Sequence, residues 1–165
     1  MSDILGVHAR PNPVTDVAEF YDTATKRTVL PLSILGQTPA SPVPVLLVPF
    51  TATLAQINAG YTFIPADANR NIFPTRFRFT VTGNFATLTD IRLSDTNGTP
   101  VDIVTLVQAN ATNGNVVTDA GGTGITIGAG FGATLTAGKG VQIRQTGSAG
   151  TGGTSVSGFF EFILQ

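Results

Sequence analysis

Proline and glycine divide this chain between them. Seven of the ten prolines stand at or before position 49 (Pro11, Pro13, Pro31, Pro39, Pro42, Pro44 and Pro49), and fourteen of the nineteen glycines stand at or after Gly114. Proline fixes φ and has no amide to donate, so the front of the chain is barred from long helices and from central strands. Glycine at the spacing seen in the back punctuates short strands and tight turns. The split predicts an extended N-terminal arm over residues 1–44, closed by the Pro-rich linker Thr38–Pro44, and a β body over residues 45–165.

The body reads as a series of short strands. Val45–Leu54 is apolar, with Pro49 marking an edge or a bulge. Tyr61–Ile64 is short. Phe77, Phe79 and Val81 alternate with Arg76, Arg78 and Thr80, which predicts a half-buried strand with an arginine-bearing outer face. In Phe85–Ser94, Ile91 and Leu93 share one face, Asp90 and Arg92 the other. Asn97-Gly98 is a hairpin signal of the positive-φ kind. Val101–Gln108, Gly124–Ile127, Ala133–Ala137, Val141–Thr146 and Val156–Leu164 complete the set, while Ala109–Gly124 and Gly147–Gly153 read as loops. The expected fold is all-β: a jelly-roll sandwich or barrel of roughly eight to ten strands. Within the arm, Val17, Phe20, Tyr21 and Ala24 recur at helical spacing behind an Asp16/Glu19 capping box. A hairpin of Glu19–Thr23 with Arg27–Leu30 fits the same residues.

Charge is scarce. Charged residues make up 12% of the chain and the net charge is −1, so no basic field is available for nucleic acid and no polybasic patch for a membrane surface. A surface so weakly charged favours burial against further copies or another protein. There are no cysteines, which excludes disulfides, thiolate metal sites and cysteine nucleophiles. No apolar run approaches the length of a membrane span. Met1-Ser-Asp-Ile-Leu5 lacks the charged and apolar regions of a signal peptide, so synthesis in a cytoplasm is expected.

The motifs that carry chemistry fail on context. Gly128-Ala-Gly-Phe-Gly-Ala133 satisfies G-x-G-x-x-A, but a dinucleotide site needs a helix next, and Thr134–Gly138 reads as strand and turn. The one histidine, His8, lies in the arm, away from any candidate triad. Asp95, Asn97 and Asp102 offer oxygens beside a glycine without EF-hand spacing, and a hairpin explains Asp95–Gly98. Asp67 with Asp90, or Asp102 with Asp119, are the carboxylate pairs available for hydrolysis. The reading taken is therefore that no residue is catalytic, that no metal or cofactor is bound, and that function lies in contact surfaces.

Two stretches resemble known families. Ala133-Thr-Leu-Thr-Ala-Gly-Lys-Gly-Val-Gln-Ile-Arg-Gln145, followed after a Gly-rich gap by Thr154-Ser-Val-Ser-Gly-Phe-Phe-Glu-Phe162, is similar to the closing strands of C1q/TNF-like jelly rolls. Ile57-Asn-Ala-Gly-Tyr-Thr-Phe-Ile-Pro-Ala66, followed by Arg76-Phe-Arg-Phe-Thr-Val81, resembles the opening of tailed-bacteriophage capsid decoration (cement) proteins. The second resemblance implies a homotrimer with a jelly-roll body and an extended arm, seated on the major capsid protein at the virion surface. It implies no membrane or nucleic-acid partner. The arm residues that would bury against such a partner are Val14, Val17, Phe20, Tyr21, Val29, Leu30, Leu32, Ile34 and Leu35. The alternative expectation is a receptor-binding or tail-fibre tip domain, with the function in the loops Ala109–Gly124 and Gly147–Gly153.

Overall fold

Two strands of 24 residues each form the spine of the body. The computed structural model describes residues 44–165, together with the backbone of three strands in the arm. The chain divides into two units, Met1–Pro42 and Val43–Gln165. In the first, β1 (Val7–Pro11), β2 (Ala18–Asp22) and β3 (Arg27–Val29) pair antiparallel in the order β1-β2-β3. Of the two arm readings, the hairpin is the one formed: Phe20 lies opposite Val29, and Tyr21 opposite Thr28. Val14, Val17, Leu30, Leu32, Ile34 and Leu35 lie outside the described residues.

The second unit contains β4 (Val45–Thr53), α1 (Leu54–Ala59), β5 (Tyr61–Ile64), β6 (Ile72–Asp95), β7 (Asp102–Val107), a single 3-10 turn (Gln108–Asn110), β8 (Val116–Thr118), β9 (Ile125–Ile127) and β10 (Val141–Leu164). All seven strands belong to one antiparallel sheet along the path β4-β10-β6-β7-β9, with β5 added to β10 and β8 to β6. The sheet does not close: among the described residues β4 and β9 have no partner on their outer sides. The expected barrel is therefore not formed, and the strands hydrogen-bond as one sheet rather than as two.

The strand count falls short of the expectation for identifiable reasons. Ile72–Asp95 is continuous where two strands were expected. Val141–Leu164 is continuous as well, so the Gly147–Gly153 stretch lies within a strand instead of forming a loop. Ala133–Ala137 is not a strand. Its apolar content is little more than Leu135, which is buried, and its amides bond singly, as Leu135 N–H does to the Ile72 carbonyl at 2.9 Å. The expected loop Ala109–Gly124 contains a short strand, β8, which pairs with Arg78–Thr80.

A straight strand of 24 residues would run about 80 Å. A body of this size spans only about 35 Å. The β6–β10 ladder therefore bends, at a series of bulges between Thr146 and Ser155. At the bend Thr87 takes a φ of 67°, unusual for a β-branched residue. Its hydroxyl, with one proton to donate, lies 2.6 Å from the Ala149 carbonyl oxygen and 2.7 Å from that of Ala86, which holds the turn. The bend brings the two halves of the sheet around one core. Phe50 of β4, which pairs with the far half of β10, stacks at 4.4 Å on Phe63 of β5, which pairs with the near half. Phe77, Phe79, Phe85 and Phe160 are fully buried in that core.

Two local devices set the ends of this arrangement. Thr53 caps α1: its hydroxyl accepts from the Gln56 amide, and the Gln56 side chain accepts from the Thr53 amide at 2.9 Å. Pro49 sits in the middle of β4, opposite Phe159. It is tolerated there because β4 is an edge strand, so the missing amide does not interrupt an interior ladder.

Two substitutions test this packing. Phe160→Ala should cost about 3–5 kcal/mol in denaturant unfolding, because the ring is wholly enclosed. Gly158→Ala should cost about 1–3 kcal/mol or more, because the added methyl would meet the Arg78 carbonyl and Phe79 on the neighbouring strand. A midpoint unchanged in either variant would show that β10 does not pack at the centre of the body.

Candidate interaction face

Alternation along β6 and β10 sends every second side chain outward, and the two halves of the sheet carry very different outer faces. On the half formed by Asp90–Asp95 and Val141–Thr146, the outward residues are charged and bonded to one another. Arg92 donates to both oxygens of Asp90, from Nε to Oδ1 and from Nη2 to Oδ2, each at 2.7 Å. Its Nη1 donates to Asp102 Oδ2 at 2.5 Å. Arg144 donates to Asp102 Oδ1 (3.2 Å) and to Ser94 Oγ (3.1 Å), and Thr146 Oγ1 donates to Asp90 Oδ1 (2.7 Å). Two arginines and two aspartates therefore neutralise each other, with Asp90 only 4% exposed.

The titration of this group follows from its contacts. Burial pushes the Asp90 carboxyl up, but the Arg92 and Thr146 hydrogen bonds and the nearby guanidinium charges outweigh it, holding Asp90 below the usual carboxylate range. Arg92 is held above its ordinary value, chiefly by its hydrogen bonds to Asp90 and despite its partial burial. Each acidic group here has a partner, so little is left over to receive a ligand.

Of the other candidates from the sequence, Asp67, Asp95 and Asp102 are held by bonds of their own. Asp67 accepts from the Asn69 amide and from Arg70, each at 2.9 Å, with the Asn69 bond leading the forces that hold its carboxyl low. Asp67 and Asp90 thus answer to different arginines, and Asp102 is bonded to Arg92 and Arg144. Asp95 is fully buried, and its Oδ1 accepts from the amides of Asn97 (3.2 Å) and Val101 (2.9 Å), which closes the Asp95–Val101 hairpin. Asp95 Oδ2 has no partner. Among the described residues no group of three or more His, Cys, Asp or Glu is placed to hold a metal ion. The amides of Gly128 and Gly130 donate to the carbonyls of Ile103 and Asp102, each at 2.9 Å, and a turn follows instead of a helix.

The outer face of the other half is open. Cross-strand register lays its residues out in rows: Pro49, Phe159 and Arg78; then Leu47, Glu161 and Arg76; then Val45, Ile163 and Phe73. Val45 and Leu47 are 56% and 57% exposed, the highest values among the large apolar residues described. Arg76 and Arg78 are exposed, and among the described residues neither forms an ion pair. The Arg76 guanidinium lies 5.8 Å from the centre of the Phe159 ring, and Glu161 accepts from Thr75 Oγ1 at 3.0 Å. The arginine-bearing face was legible in the sequence. Its continuation over Val45, Leu47, Phe159 and Ile163 was not, because it depends on the pairing of β4 with β10. Phe20, Tyr21 and Val29 of the arm lie in β2 and β3.

No helix among the described residues is long and apolar enough to cross a membrane. Comparison with family models, with curated proteins and with solved structures finds no match for this chain.

The charge network generates a prediction about acid. A carboxyl with a depressed folded value contributes stability that is present above its unfolded value, about 4, and lost as pH falls through the folded value. Asp90→Asn should therefore be less stable than the parent near neutral pH, and the gap should narrow as pH falls below about 4. Arg92→Met, which strands a buried carboxylate, should cost about 2–3 kcal/mol at neutral pH. Thermal melts across the acid range check both; a gap independent of pH would mean that Asp90 is not held by Arg92.

Proposed function

We propose that this chain is a structural virion protein, a head decoration (cement) subunit of a tailed bacteriophage. In this reading it acts as a homotrimer whose single-sheet β body is seated on the major capsid protein at the virion surface, after synthesis in the host cytoplasm. The observation that carries the reading is the open outer face of Val45, Leu47, Phe159 and Arg78, set on a sheet whose other outer face carries Asp90, Arg92, Asp102 and Arg144 paired with one another. Such a surface is fitted to association. The segments that resemble decoration proteins, Ile57–Ala66 and Arg76–Val81, fall on α1 with β5 and on β6, where they support that face.

The mechanism is mechanical. No catalytic residue, cofactor, metal, membrane or nucleic acid takes part. The body occupies a position between capsid subunits, and the arm crosses onto its neighbours. Ordering an arm costs about 1–2 kcal/mol per residue. Burial returns about 25 cal/mol per Å² of apolar surface. Val14, Val17, Phe20, Tyr21, Val29, Leu30, Leu32, Ile34 and Leu35 would supply that surface against a partner.

Deleting residues 1–35 tests the reading. The shortened chain should keep its β circular dichroism, because the body has its own core, and should no longer bind particles. Particles lacking the protein should release DNA at lower temperature, since a partner that binds only the assembled shell stabilises it. Host adsorption should be unchanged. Particles that keep their stability but fail to adsorb would overturn the cement role in favour of a receptor-binding or tail-fibre tip domain.

A further inference from the structure

We infer that the outer face of the β4–β10–β6 half-sheet is covered by a second copy of this chain. The inference rests on the self-association part of the proposed function and goes beyond it: the same face serves both copies, so this contact is two-fold. Two observations point to a copy rather than to a foreign partner.

The first is charge. Arg76 and Arg78 stand on one side of this face and Glu161 on its middle strand, with the uncharged residues Val45 and Leu47 on the other side. Among the described residues neither arginine has an acidic partner, and Glu161 is bonded to a hydroxyl. A face that carries both signs, unpaired and side by side, can satisfy itself across a contact between copies: Glu161 of one against Arg78 of the next. A purely acidic partner would leave Glu161 opposed to like charge, and a basic one would oppose the arginines.

The second is composition. Pro49, Phe159, Ile163 and Leu47 place apolar and aromatic surface around Glu161 and beside the arginines, material of the kind that is buried in contacts between proteins. Each of these residues is at least partly exposed in the single chain. The other outer face of the sheet, around Asp90 and Arg144, is already neutralised within the chain.

The face is small: nine residues of strand by three strands make about 30 Å by about 14 Å. Hydroxyl residues flank it: Thr51 bonds Ser157 at 3.1 Å, with Thr80 in the same row. The sticky part of the face is thus bounded at that end by groups that water solvates well.

The experiment uses the full-length chain in solution, without particles, so that its failure is separable from failure of the capsid reading. Sedimentation of the parent should show an oligomer at micromolar concentration. Leu47→Glu, at a site exposed enough to leave folding intact, should weaken self-association at least about tenfold. Arg78→Glu and Glu161→Arg should each be monomeric alone, because each sets like charges against each other in a contact between copies. Mixed in equal amounts, the two variants should co-assemble, since each then offers the charge that the other lacks. Circular dichroism and melting temperature check that all three are folded. A monomeric parent, an oligomer untouched by Leu47→Glu, or folded charge variants that do not restore each other would overturn the inference. Particle binding retained by a monomeric variant would overturn the need for self-association on the capsid while leaving this contact in place.

Discussion

Everything in the body hangs on the pairing of β6 with β10. These two strands meet along their whole length, from Ile72 opposite Leu164 to Asp95 opposite Val141. β4 and β5 are attached to β10, β7 and β8 to β6, and β9 to β7 alone. No outlying strand has a place until the central ladder exists. The partners lie far apart in the chain, so the entropy of closing that loop must be met before any neighbour contributes. Such a topology folds slowly and as a unit. The glycines of β10 are what allow the ladder to be so close: Gly158 lies against the Arg78 carbonyl, and Gly153 leaves room for the Phe85 ring. A side chain at either position would push the halves apart where the bend has to bring them together.

The same bend divides the outer surface into two territories with opposite physics. Near Asp90 the charges are arranged so that each cation lies between acceptors, and the group is electrically closed. Near Phe159 the two arginines and Glu161 are set among apolar neighbours without closing on each other. Water solvates the second group in the free chain, and burying it would require that its charges be paired. The first is already closed within the chain.

Local signals in the sequence were legible where they depend on neighbours in the chain. Tyr61–Ile64 forms β5 as read, and the alternation of Arg76–Val81 places arginines outward. Asn97-Gly98 does lie in the hairpin closed by Asp95, but not as the positive-φ turn expected: neither residue takes a positive φ. Pro49 does mark an edge strand. What escaped is what long-range pairing decides. Gly147–Gly153 has the composition of a loop but is held as strand opposite Gly83–Leu88. The helix α1 was missed, with only its first residue falling in the expected strand Val45–Leu54, although Thr53 and Gln56 carry a capping-box signature at the right spacing. Of the charge network, Asp90 and Arg92 could be assigned to one face by alternation. Their partners Asp102 and Arg144 come from other strands, and no spacing rule connects them.

Pro49 also has a consequence for how large an assembly can grow. An open sheet edge is a template on which further strands can add without limit, and this chain, poor in charge and rich in β structure, has little else to prevent that. The edge offered by β4 is interrupted at its midpoint by a residue with no amide, so a strand arriving from another molecule would find a broken row of donors. Growth by strand addition is blocked at that edge, whereas contact through a face saturates once the face is covered. The other edge among the described residues, β9, carries no proline, so the two ends of the sheet are unequal in what they offer an arriving strand.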